Sequence, residues 1–193
     1  MCIRDSLKPR AAELNVKLTF LPFFVKAVVA ALKRHPALNC AYDATTAEIV
    51  QRHHHHIGIA SSTKSGLMVP VIKHADQKGL LAIAKDIERL AEASKTGRIS
   101  PSDLQGSTFT ITSLGREGGY FATPILNMPE VGILGIHRMK QRPVVKDGQI
   151  VVGDVMLLSL SFDHRLIDGH VGAAFAYEII RLIETPELLM LED

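Results

Sequence analysis

The densest run of chemically capable side chains lies near the C-terminus, in Leu158-Ser-Leu-Ser-Phe-Asp-His-Arg-Leu-Ile-Asp-Gly-His. An apolar strand pattern ends there and releases His164, Arg165, Asp168 and Gly169 just before a helical pattern. Strand ends and the turns beyond them are where reactive groups reach solvent. A neutral imidazole with an ordinary pKa near 6.5 can take a proton from a thiol at neutral pH, so His164 is the candidate general base. Asp168, four residues on, is expected to orient the turn through a basic partner. Taken alone, His-x-x-x-Asp-Gly is more often the pattern of a turn histidine followed by a helix-capping aspartate.

A second stretch, Gly106-Ser-Thr-Phe-Thr-Ile-Thr-Ser-Leu-Gly, puts hydroxyls at alternate positions of a strand. Alternation sends Thr108, Thr110 and Thr112 to one face. Acyl exchange between thiols passes through a tetrahedral oxyanion, and a hydroxyl aimed at that oxygen lowers the barrier by about 3 to 4 kcal/mol. Thr112 or Ser113 is the candidate donor; Thr108 and Thr110 read as ordinary strand threonines.

The elements that must hold these groups follow from periodicity. A helix is expected from Leu7 to Asn15, with Met1 to Ser6 given no structural role and read as foreign sequence or the start of a fragment. Leu21 to His35 is apolar almost all round and must be buried; Thr19 is its candidate N-cap, Pro22 sits in the first turn and Pro36 stops it. Glu48 to Ser61 and Leu67 to Ile72 read as a hairpin of two strands. Gln77 to Thr96 is an amphipathic helix with Gly97 at its left-handed end. Strands are expected over Ser107 to Ser113, Val131 to His137 and Val151 to Phe162, with a turn at Lys146-Asp147-Gly148. A last helix spans about Gly169 to Glu184. Helices and strands mix without strict alternation, which predicts an α+β domain with a mixed sheet covered by helices.

Four stretches in order, Phe109 to Gly115, Thr123 to Glu130, Ile133 to Arg138 and Leu158 to Gly169, resemble the dihydrolipoyl acyltransferase component of 2-oxoacid dehydrogenase complexes. The resemblance extends to Leu21-Pro-Phe-Phe-Val-Lys-Ala and Gly66-Leu-Met-Val-Pro-Val-Ile and so covers nearly everything from Leu7 to the C-terminus. It implies a chloramphenicol acetyltransferase-like fold assembled as homotrimers, stacked in some cases into cubic or dodecahedral cores, with the active site in a channel between subunits. It also implies coenzyme A as substrate and a lipoyl group supplied by a separate domain. His164 would deprotonate the attacking thiol, Thr112 of the adjacent subunit would bind the oxyanion, and Asp168 would support the site. Ser113, Arg165 and Gly169 would contact substrate. The partners implied are the decarboxylase and dihydrolipoamide dehydrogenase components of a pyruvate or branched-chain complex. Relative to the family, the catalytic domain (residues 7–193) is expected to lack a preceding arm, helix and strand, and no lipoyl or peripheral-subunit-binding domain is expected.

Composition narrows the rest. At 193 residues, 47% hydrophobic and 22% charged, the chain fits one globular domain. Twenty-two basic against 20 acidic residues give a net charge of +2, without the basic excess expected of a nucleic-acid binder. No run of 18 apolar residues is present and no signal-peptide pattern opens the chain, so no membrane partner is expected and a bacterial cytoplasm is favoured over a mitochondrial matrix. Cys2 and Cys40 are too few for a disulfide framework, and neither reads as a nucleophile. The run His53 to His56 is not expected to hold a metal, because successive strand residues point to opposite faces. His35, His74, His137 and His170 read as solvated, and Gly115 to Gly119 as a turn without the lysine of a phosphate loop. The alternatives to a complex-bound acyltransferase are a free-standing CoA acyltransferase with a small alcohol or amine acceptor, and a structural core without catalysis.

Overall fold

A computed structural model describes residues 2–63, 66–113, 115 and 119–192. In chain order its elements are α1 (Cys2–Glu13), α2 (Leu21–Arg34), β1 (Cys40–Asp43), β2 (Glu48–Gln51), β3 (Ile57–Thr63), β4 (Gly66–Met68), β5 (Val71–Ile72), α3 (Leu80–Lys95), β6 (Phe109–Ser113), β7 (Gly132–Ile136), β8 (Lys140–Lys146), β9 (Gln149–Val155), β10 (Leu158–Phe162) and α4 (Gly169–Glu184).

The main sheet runs β10-β7-β6-β3, with β4 and β5 both pairing β3. β6 is parallel to β3 and to β7, whereas β10, β4 and β5 run antiparallel to their partners. This is the mixed sheet covered by helices that the sequence predicts. α2 lies against the sheet beside α3 and α4, and its residues from Pro22 to Leu32 are buried on every side except at Lys26. That all-round burial explains its lack of a polar stripe. Phe109, Ile111, Leu134, Phe175 and Ile179 join it in one core.

Several boundaries differ from expectation. α1 begins at Cys2, five residues ahead of Leu7, because Arg4 lays its guanidinium 3.8 Å above the Phe20 ring and Ile3 packs on a small cluster around Ala11, Leu18 and Phe23. α2 is capped at Phe20, with no side-chain cap bond, rather than at Thr19. The strand expected from Glu48 is broken at residues 52–56, since β2 turns back to pair β1 while β3 joins the main sheet. Likewise Val151 to Phe162 divides after Val155: β9 pairs with β8 in a separate hairpin and β10 pairs β7. The expected turn does occur at Asp147 and Gly148, both with positive φ, but it joins β8 to β9. α4 has the expected bounds, and Gly97 has a φ of +68° at the end of α3.

Candidate active site

The two faces of the main sheet have opposite chemistry. Phe109, Ile111, Leu134 and Phe162 turn toward the helices. Thr110, Thr112 and Gly135, their neighbours in sequence, and Ser159, between Leu158 and Leu160, turn the other way, and the register places Thr112, Gly135 and Ser159 in one row across β6, β7 and β10. Small residues keep this polar face low. A Cβ on Gly58 would stand 2.8 Å from Thr110 Oγ1, and one on Gly135 would collide with Ser159 Oγ.

Over this face passes the segment 120–127, enclosing a cavity of about 520 Å³. Its walls are mostly apolar, with Thr110, Thr112, Thr123, Asn127 and His137 as polar side chains among Val69, Leu126, Ile133 and others. An apolar recess with few convergent polar groups is the usual form of a ligand site. Thr112 lines this cavity on the same face of β6 as Thr110, the face that the alternation predicts. Thr108 and Thr110 have structural partners: the Thr108 hydroxyl accepts from His56 N, and Thr110 Oγ1 accepts from Asn127 Nδ2 at 3.3 Å.

Asn127 is itself held. Its Nδ2 donates at 2.9 Å to Glu130 Oε1, which also accepts the Ser107 hydroxyl. Glu130 is 3% exposed, its Oε2 has no partner among the described residues, and burial pushes its carboxyl above the usual value. This carboxylate network was not anticipated from the sequence, although Thr123 to Glu130 carried part of the family resemblance.

Ser113 points to the opposite face from Thr112. It borders a second cavity, of about 650 Å³, beneath α3 with Ile59, Leu90 and Ser94, and its Oγ accepts the Gly115 amide. Of the turn expected over Gly115 to Gly119, Gly115 has a φ of +58° and residues 116–118 lie outside the described residues.

His164 lies elsewhere, exposed on the turn between β10 and α4, its ring tilted against Phe162 at 5.6 Å between centroids. No hydrogen bond engages its ring nitrogens among the described residues. The turn is fixed around it: Arg165 Nε donates to Asp163 Oδ1 at 3.0 Å and Nη2 to Oδ2 at 2.6 Å, while the guanidinium covers the Tyr42 ring at 4.8 Å. Arg165 holds the Asp163 carboxyl below the usual range. No basic partner engages Asp168 among the described residues, and the nearby Arg165 is committed to Asp163. Asp168 occupies the N-cap position of α4 with no side-chain cap bond, and Gly169 opens the helix with free space where a Cβ would be.

Thr112 and His164 do not meet within one copy. His164 is five residues beyond Ser159, the far end of the row containing Thr112. At about 3.3 Å per residue along a strand and about 4.8 Å between strands, the end of β10 at Phe162, from which the turn bearing His164 starts, stands on the order of 14 Å from Thr112.

Among the other histidines, the run His53 to His56 lies in the irregular link between β2 and β3 rather than within a strand. His54 and His56 rings are 4.2 Å apart, His56 and His74 4.5 Å. His137, read from sequence as solvated, is partly buried beneath Phe121 with its Nε2 2.9 Å from Ser159 Oγ, and burial lowers its pKa. Cys40 is buried, which raises its thiol pKa and suits it to packing rather than attack.

Comparison with known proteins gives this arrangement a family. Residues 1–191 match the family described as 2-oxoacid dehydrogenases acyltransferase (catalytic domain). The dihydrolipoyllysine-residue acetyltransferase components of pyruvate dehydrogenase complex from Staphylococcus aureus and Staphylococcus epidermidis are each 49% identical over 189 residues. That span is 98% of this chain and 44% of those proteins, so the chain accounts for less than half the length of the curated relatives it matches. Among solved structures, the cubic core of a pyruvate dehydrogenase multienzyme complex superposes with a TM-score of 0.93 at 37% identity, covering 98% of this chain and 78% of that one. A dihydrolipoamide acetyltransferase from Azotobacter vinelandii gives 0.93 at 38%, with the same coverage. Chloramphenicol acetyltransferase, at 12% identity and a TM-score of 0.57 over 91% of this chain and 81% of that one, shares the fold. The chain belongs to the acyltransferase family of the 2-oxoacid dehydrogenases, as a catalytic domain.

Proposed function

We propose that this domain transfers an acyl group, acetyl in the first instance, between coenzyme A and a dihydrolipoyl group carried on a separate domain, within a cytoplasmic pyruvate dehydrogenase-type complex. The observation that carries the reading is the state of His164: an exposed imidazole at the end of a rigid strand, its turn locked by Arg165 and its ring free of hydrogen bonds among the described residues. Such a group is placed to take a proton.

In the proposed reaction His164 removes the proton from one thiol as that sulfur attacks the thioester carbonyl carbon. The carbonyl electron pair moves onto oxygen, where the Thr112 hydroxyl donates a hydrogen bond. Collapse breaks the bond from the carbonyl carbon to the second sulfur, which leaves as a thiolate and takes the proton from the imidazolium. No acyl-enzyme forms. Asp168 supports the turn, and Arg165, Gly169 and Ser113 are assigned to substrate contact.

The separation of Thr112 from His164 supports a site assembled from two copies, the hydroxyl of one facing the imidazole of the next, in a homotrimer. The Azotobacter vinelandii enzyme adds support: the serine, histidine and asparagine whose roles in its catalytic mechanism were investigated are spaced along its chain as Thr112, His164 and Asp168 are here. Larger cores built of trimers, with decarboxylase and dihydrolipoamide dehydrogenase partners, complete the proposal.

The test is transfer from acetyl-CoA to dihydrolipoamide by the wild type, His164→Ala, Thr112→Ala, and a refolded mixture of the two variants. Each variant alone should lose about 100-fold or more in kcat. The mixture should recover activity, because some sites then combine an intact histidine with an intact threonine. A mixture as inactive as its parts would overturn the two-copy site, and an inactive wild type would overturn the reaction.

A further inference from the structure

The polar face holds a group that the reaction above does not use. His137 follows β7 and shares its face with Gly135, two residues earlier, so its ring stands over the space that Gly135 leaves open. A Cβ on Gly135 would be 3.3 Å from His137 Nε2. Thr112 is the register partner of Gly135 on the neighbouring strand. The hydroxyl and the imidazole therefore stand on two sides of one glycine, and all three residues line the 520 Å³ cavity.

The ring is also held in place. Ser159, on the strand beyond, meets Nε2 at 2.9 Å, and the Phe121 ring lies 5.4 Å away at 38° between ring planes. The backbone amide of His137 donates to Leu157 O, continuing the ladder past the end of β7. A histidine held only for packing does not need a glycine beside it. Here the glycine clears the space between His137, Ser159 and Thr112. When the Ser159 hydroxyl donates to Nε2, the neutral ring carries its proton on Nδ1 and retains an N–H donor.

We infer that His137 is a second hydrogen-bonding contact for the thioester carbonyl oxygen, acting beside Thr112 from the same copy, with Ser159 and Phe121 as positioning residues that hold its ring. The inference rests on the proposed acyl transfer and assigns that cavity to the acyl-thioester. Burial, which keeps the imidazole neutral, suits it to donating a hydrogen bond rather than to exchanging a proton.

The experiment reads the carbonyl directly. Acetyl-CoA labelled with carbon-13 at the thioester carbonyl is mixed with excess assembled protein without dihydrolipoamide, and the difference infrared spectrum gives the stretch of the bound carbonyl. In the wild type the band should move to lower wavenumber than in free acetyl-CoA. Part of that displacement should vanish in His137→Ala and a separate part in Thr112→Val, while His137→Gln, which restores an N–H donor, recovers some of it. With dihydrolipoamide present, His137→Ala should lose about 10- to 100-fold in kcat with little change in KM for acetyl-CoA. A bound carbonyl band identical in wild type and His137→Ala overturns the inference while leaving the transfer reaction intact. A wild type that shows the displaced band but no turnover would overturn the proposed reaction while upholding the contact. Failure of acetyl-CoA to bind at all would overturn both.

Discussion

The ring of Phe162 occupies the place where Gly172 has no side chain: a Cβ on that glycine would stand 2.6 Å from Phe162 Cε1 and 3.0 Å from Cζ. This contact sets how closely α4 lies on β10, and the turn bearing His164 spans the gap between them. A glycine inside a helix costs about 1 kcal/mol against alanine, so its place here is explained by the close approach it permits. Gly172→Ala should reverse that balance. The added methyl forces the ring or the helix aside at about 1 to 3 kcal/mol, beyond what helix propensity returns. Thermal unfolding should show Tm lowered by several degrees. Transfer should slow as well, because Phe162 also carries the His164 ring against it. An unchanged Tm would mean that α4 is free to shift.

Tyr42 acts on the same turn from outside. Its ring lies under Arg165, whose fork is filled by Asp163, so β1 buttresses the segment that presents His164. An exposed cation–π contact contributes about 0.5 to 1 kcal/mol. Tyr42→Ala is expected to leave global stability within about 1 kcal/mol of wild type and to lower kcat/KM several-fold through a looser turn. Tyr42→Phe keeps the ring and should behave as wild type. Equal loss in both variants would point to the phenol oxygen and away from the stacking.

What the sequence made legible divides along one physical line. Patterns set within a few residues were readable: the 3.6-residue stripe of α3, the whole of α4, the left-handed Gly97, the alternation that put Thr110 and Thr112 on one face. Features set by distant pairing were not. β1 is four residues long and gains its strand character from β2, and β8 reads as a charged segment with a proline until β9 lies beside it. The same limit applied at the site. His164 and Thr112 could be singled out by type and neighbourhood, but their separation, on an edge strand's far end and a central strand, follows from the order β10-β7-β6 and its register. His137 looked solvated because nothing near it in sequence buries it; Phe121 and Ser159 do so from 16 and 22 residues away. One local signal was available, the Gly-x-His step of Gly135 to His137, which places an imidazole over a missing side chain.

Glu130 predicts an unusual pH response. Burial raises its carboxyl above the usual value near 4.5, against the opposing hydrogen bonds from Ser107, Thr110 and Asn127. The folded state therefore binds this proton more tightly than the unfolded chain does. The stabilisation is complete below the ordinary glutamate value and is lost as pH rises through the elevated one. Glu130→Gln removes that titration while keeping an oxygen to accept from Asn127. Urea unfolding followed from pH 4.5 to 8 should show the difference between variant and wild type moving in favour of the variant as pH rises. Parallel curves would show that Glu130 titrates normally.

His56 should act in the opposite direction and define the acid limit. Burial depresses its pKa from 6.5 to about 4, and the neighbouring His54 and His74 add to that. The geometry gives the reason protonation is resisted: His56 Nδ1 accepts the backbone amide of His74 at 3.0 Å, and a proton on Nδ1 would break that bond and set two N–H groups against each other. With the folded pKa below the unfolded one, the contribution to stability is present in full above pH 6.5 and is lost as pH falls toward 4. Close by, burial lowers the pKa of His54 and His55 as well, so the whole link resists protonation. His56→Asn keeps a short acceptor for the His74 amide and removes the titration. Its Tm should fall less steeply than that of wild type between pH 6.5 and 4, even if it begins lower at pH 7.5. Identical slopes would mean that the link between β2 and β3 opens to solvent before His56 is protonated, and would place the acid-sensitive step elsewhere in the fold.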